Sequence, residues 1–182
     1  MTLSIIDQPA MIDAAALAEL KALLAIENSE DDALLLSHFR SAYALCEAFT
    51  GRALLHSRRC YRLTLRTGMQ RLPDHPVIAI EEIRTIDDDG NGTALPITAY
   101  QMDIDGEGFG SVALLAPLPV VPVEVRYSAG IAAQWEQLPE LLRQGIVRLA
   151  AHQHLQGAAD SEVMPPIAVA ALWRPWRRLR LA

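Results

Sequence analysis

Between Cys60 and Tyr127 the apolar residues recur at a period of two, in short runs set apart by tight turns. Tyr61, Leu63 and Leu65 alternate with Cys60, Arg62, Thr64 and Arg66, the pattern of a half-buried strand. β-branched or aromatic runs follow at Val77–Asp87, Tyr100–Ile104, Val112–Leu115 and Val123–Tyr127, divided by turn chemistry such as Asp89-Gly90-Asn91-Gly92 and Asp105-Gly106. Connections this short leave no room for crossover helices. The strands are therefore expected to pair antiparallel.

On either side the period changes to that of a helix. Asp13 is placed to cap a helix over residues 14–24, with Leu17, Leu20, Leu23 and Leu24 as its stripe. Ser29 and the acidic run Glu30 to Asp32 stand where a second helix, 31–50, wants acceptors and negative charge. Its stripe is Leu35, Phe39, Ala42, Cys46 and Phe49, and Gly51 is its stop. Pro139 opens a third, 139–156, that buries Leu142, Ile146, Leu149 and Ala150 and ends near Gly157. After a loop from Ala158 to Met164, Pro165-Pro166 opens a short helix with Val169, Leu172 and Trp173, which Pro175 ends or kinks. The prediction is an α+β fold: mainly a helical bundle with a small antiparallel β-sheet inserted at about 57–128. A chain of 182 residues can bury roughly 70% of its unfolded surface, enough for one domain, taken as 1–170.

Chemistry-bearing motifs are scarce. Asp87, Asp89, Asn91 and Gly92 match the opening of a calcium-binding EF-hand, but the twelfth position holds Thr98 where a bidentate Glu is needed. The turn from Asp103 to Gly108 fails the same way, at Leu114. His152 and His154 lie two apart on a helix and point in opposed directions, so they do not share a metal. Gly106, Gly108 and Gly110 lack the Lys-Ser/Thr and the helix of a phosphate loop. Cys46 and Cys60 are in no zinc spacing and read as buried, reduced thiols. No catalytic residue, metal or cofactor is expected; a hydrolase would have to assemble His38 or His152 with carboxylates through the fold alone. The opening residues, with Asp7 and Pro9, do not resemble a secretory signal, and no membrane partner is expected.

Charge is uneven. Removing Arg174, Arg177, Arg178 and Arg180 from a net charge of −6 leaves −10 on the rest, which opposes non-specific coating of nucleic acid. Those arginines interleave with Leu172, Trp173 and Trp176, and Trp and Arg are the residues most enriched at interface hot spots. Residues 171–182 are read as a C-terminal docking segment for another protein. Two other readings stand beside it: tryptophans that cap the domain's own core, or arginines that contact nucleic acid.

In order and spacing the motifs resemble the head–tail connector (adaptor) family of long-tailed phages and gene transfer agents. The resemblance rests on Leu17 to Lys21 with the acidic turn Glu30 to Asp32, and on Cys46-Glu47-Ala48-Phe49-Thr50-Gly51-Arg52-Ala53-Leu54. It continues through Tyr61 to Leu65, Leu72-Pro73, Pro76-Val77, Tyr100 to Asp105, Val123 to Gly130 and the helix opened by Leu138-Pro139. It closes on Leu172-Trp173-Arg174-Pro175-Trp176-Arg177. Gln153-His154 departs from the aromatic that often follows the late histidine. The family relation implies a structural role and no enzyme: a homo-oligomeric ring, usually dodecameric, at the head–tail junction of a particle assembled from chains made in the host cytoplasm. Its partners would be the portal protein above, a stopper or tail-completion protein below, and DNA passing through the lumen without sequence-specific binding. The portal-binding residues would be Leu172, Trp173, Arg174, Trp176, Arg177, Arg178 and Arg180. Alternatives are a stopper or tail-completion protein and an Arg-tailed nucleic-acid-binding regulator.

Overall fold

The computed structural model describes residues 5–8, 14–87, 90–116, 122–156 and 164–177. The chain forms two compact units, one of Met1–Ala10 with Leu55–Ile131, the other of Met11–Leu54 with Ala132–Ala182.

The first unit carries the strands. They are β1 (Ile5–Gln8), β2 (Ser57–Thr64), β3 (Gln70–Arg71), β4 (Val77–Ile86), β5 (Gly92–Ala94), β6 (Tyr100–Ile104), β7 (Gly110–Leu114) and β8 (Pro122–Ala129). They make a five-stranded sheet in the order β1-β2-β8-β4-β5 and a three-stranded one in the order β3-β7-β6. Every pairing is antiparallel, as the short connections require. β8 is the axis of the larger sheet: Cys60 pairs with Arg126 on one side of it and Ile83 with Val125 on the other. Val123, Val125, Tyr127 and Ala129 of β8 are buried, as are Ile83, Val112 and Leu114.

Charge is built into this sheet. Glu124 is buried, and its carboxylate accepts from Arg62 Nε and Arg126 Nε, both at 3.1 Å. Burial alone would raise its pKa; the bonds from Cys60, Arg62 and Arg126 outweigh burial and hold it below the ordinary 4.5. Ionised Glu124 thus stabilises the fold above that ordinary value, and the contribution is lost as pH falls through the lowered folded value. The expected result is that the urea midpoint of the wild type drops between about pH 5 and pH 3 more steeply than that of Glu124→Gln. Superimposable acid limbs in the two proteins would remove this assignment.

The second unit carries the helices α1 (Ala14–Leu24), α2 (Asp32–Thr50), α3 (Glu140–Gln156) and α4 (Ile167–Trp173). Leu35, Phe39, Ala42 and Cys46 of α2 and Leu142, Ile146, Leu149 and Ala150 of α3 are buried, the stripes that the sequence period requires. Gly51 ends α2 in the left-handed conformation, φ 67°, and its N–H donates to Glu47 O at 2.8 Å. The start of α2 differs from expectation. Asp31 makes no side-chain cap, and Asp32 is bound by Lys21 Nζ at 2.7 Å, an ion pair that holds α1 and α2 together. α1 differs too: it buries Ala16 and Leu20, while Leu23 is left 54% exposed. Asp13, Asp89 and residues 157–163 lie outside the described residues.

With about 42% helix and 29% strand among the described residues the fold is α+β, but its β part exceeds one small sheet set into a helical bundle. β1, β3 and β5 carry no readable alternation over two to four residues. They become strands because a longer neighbour supplies the hydrogen-bonding edge.

Candidate functional site

The described part of the C-terminal segment, residues 171–177, lies in the helical unit. α4 begins after Pro166, and Arg174–Trp176 continue it as one 3-10 turn that contains Pro175. Trp173 is fully buried. Its indole N–H donates to Leu142 O at 3.4 Å, and its ring lies 5.8 Å from that of Phe49. The ring covers Gly145 of α3 so closely that a Cβ there would stand 2.1 Å from Nε1. A glycine inside a helix costs about 1 kcal/mol against alanine; here that cost opens the seat for the indole.

The next residues are tied to the end of α2. Arg52 Nε donates to Trp176 O at 3.0 Å, and the Arg177 guanidinium lies 5.4 Å from the centroid of Phe49. Leu172 and Trp176 are half-buried, whereas Arg174 and Arg177 are exposed. Trp176 Nε1 is buried and meets no acceptor among the described residues. Arg178 and Arg180 lie outside the described residues. Of the seven candidate positions, Trp173 is thus part of the unit's own core. Arg174, Trp176 and Arg177 form its surface, and Leu172 lies between.

The other candidates resolve into structural roles. Asp105 Oδ1 accepts from Phe109 N at 2.8 Å and Glu107 N at 3.0 Å, and chiefly the Phe109 bond keeps its carboxyl below the usual range. Asp87 Oδ1 accepts from Asn91 N at 2.6 Å. Both carboxylates hold turns. His75 Nε2 bonds Glu107 O at 2.7 Å, its ring against that of Phe109. His38 meets His154, not His152, edge-on at 5.9 Å, and burial followed by the charge of His154 lowers its pKa. Among the described residues no three His, Cys, Asp or Glu side chains stand together to hold a metal, and no helix is long and apolar enough to cross a membrane. Cys46 and Cys60 are buried free thiols; burial, followed for Cys60 by Glu124, pushes Cys60 up to about 12.

Sequence reasoning missed Gly145, Arg52 and the ring of Phe49 as the parts that seat the segment. The signal for Gly145 was present: a glycine in an apolar helical stripe marks a close approach.

Whole-length likeness places this fold beside solved particle structures. A chain from the neck of an empty gene transfer agent (GTA) particle computed with C6 symmetry matches with a TM-score of 0.78 and 27% identity. One from the virion of the native gene transfer agent particle matches at 0.72 and 28%. Another, from the neck of the native GTA particle computed with C12 symmetry, matches at 0.72 and 30%. Each match covers 100% of this chain and 97% of the other. No family model and no curated protein matches. The class defined by fold and sequence together is that of the structural neck proteins of phage-like particles.

Proposed function

We propose that the chain is the head–tail adaptor of a phage-like particle, a structural ring that docks beneath the portal and carries the DNA channel toward the tail. The observation that carries this reading is the end-to-end likeness to neck chains at 27 to 30% identity. The twelvefold and sixfold symmetry of those necks supports a homo-oligomeric ring for this chain as well. A stopper or tail-completion protein would follow below. The −10 carried outside the four C-terminal arginines suits a lumen that repels phosphate and lets duplex slide.

Portal docking falls to the exposed part of the C-terminal segment. Trp173 and Arg52 hold the 3-10 turn in place, which presents Arg174 and Arg177 to carboxylates of the portal. Arg178 and Arg180 extend that charge. Many weak segments on one ring bind together, so modest affinity per copy becomes durable attachment.

The test leaves the core intact. Arg174→Glu combined with Arg177→Glu and Arg178→Glu costs at most the contact of Arg177 with Phe49, about 0.5–1 kcal/mol, and lowers binding to assembled portals at least tenfold. Unchanged binding by the triple variant rejects portal docking through this segment. Loss of the charge on binding to free DNA, with none on portals, favours the nucleic-acid reading.

A further inference from the structure

The helical unit has a groove between α1 and α3. Its volume is about 290 Å³, and Glu19, Leu23, Gln144, Val147 and Arg148 line it. Leu23 is 54% exposed there. Glu19 is satisfied from within, since its carboxylate accepts from Trp135 Nε1 at 2.8 Å and pairs with Arg143 Nε at 3.7 Å. Arg148 is exposed and forms no ion pair among the described residues. The groove is therefore an apolar floor with a positive rim.

The same unit carries the opposite shape. Leu34, in the first turn of α2, is 49% exposed. Glu30 and Asp31 are also exposed, lie four and three residues before it, and form no ion pair among the described residues. Leu34 is an apolar knob with a negative rim. Knob and groove open on different sides of the unit. Lys21 reaches Asp32, whereas Glu19 and Leu23 stand about 200° around α1 from Lys21 at 100° per residue. Leu34 is turned by the same angle from Asp32.

A knob and a groove on different sides cannot pair with themselves across a twofold axis; they join copies head to tail, and such a contact closes into a ring when the rotation allows. The geometry points to a ring interface in which the Leu34 knob of one copy enters the α1–α3 groove of the next, with Glu30 and Asp31 set against Arg148. This inference rests on the ring in the proposed function and names the surface that builds it.

The test uses the full chain. Leu34→Cys and Leu23→Cys place thiols on knob and groove at exposed positions, and the native Cys46 and Cys60 are buried. With a short bis-maleimide, an equimolar mixture of the two single variants gives cross-linked dimers. Neither variant alone does, and the double variant gives a ladder of multimers. Arg148→Glu in the double variant lowers the ladder yield about fivefold, the scale of one exposed ion pair, and Glu30→Arg with Asp31→Arg restores it. No intermolecular product, dimers of Leu34→Cys alone, or a ladder indifferent to both charge changes each overturns the interface. Portal binding read on the same variants separates the two proposals. Binding without a ladder removes the interface and leaves the docking reading, and a ladder without portal binding does the reverse.

Discussion

Asp74→Ala destabilises the strand unit by about 3 kcal/mol, the scale for removing one partner of a buried ion pair. Asp74 Oδ1 accepts from Arg59 Nη1 at 2.7 Å, and Oδ2 accepts from the Tyr127 hydroxyl. Arg59 is buried and Tyr127 fully so, so truncation takes a charged acceptor from a buried guanidinium and from a buried hydroxyl at once. Arg59 Nε also donates to Ser57 Oγ at 3.0 Å, an uncharged acceptor that offers less than a carboxylate. Tyr127→Phe removes the hydrogen bond to Asp74 and costs about 1 kcal/mol. The two losses are coupled, because each removes part of one network. Urea titration of the two single variants and the double variant measures the coupling. An Asp74→Ala midpoint level with wild type would show that the cluster contributes nothing.

That cluster also shows where the sequence stops being legible. Arg59, Asp74 and Tyr127 are scattered over β2, the β3–β4 connection and β8, and no local spacing relates them. They meet only once β2 pairs with β8 in the register that sets Arg59 opposite Tyr127. The helices were readable because their evidence is local: Leu35, Phe39, Ala42 and Cys46 repeat at the period of the element they form. β1, β3 and β5 were not, since a strand of two to four residues owes its existence to a partner's edge. Leu23 misled for a related reason. Its place in the stripe of α1 was read correctly as apolar, but α1 packs through Ala16 and Leu20, and which neighbour covers a stripe is not a property of the stripe.

The C-terminal segment was legible as apolar and basic, and its division was not. Two tryptophans three residues apart read alike in a sequence, yet Trp173 is fully buried against Gly145 and Trp176 is half-buried. Trp173→Ala is expected to cost about 3–5 kcal/mol, the range for emptying a large buried aromatic site. Gly145→Ala must push the indole aside, costing about 1–3 kcal/mol by overpacking, against a gain of about 1 kcal/mol in helix propensity. With Trp173 shortened to leucine the clash goes and the propensity gain remains. Gly145→Ala should therefore change sign, from destabilising in the wild type to stabilising by about 0.5–1 kcal/mol in Trp173→Leu. Denaturation of the four proteins in this cycle decides it, and equal effects in both backgrounds would mean that Gly145 does not seat the ring. The same cycle separates folding from docking. Trp173 variants lose portal binding in step with their stability, whereas Arg174 variants lose it with stability unchanged, because that side chain is exposed, and Arg177 variants give up no more than the contact with Phe49, about 0.5–1 kcal/mol.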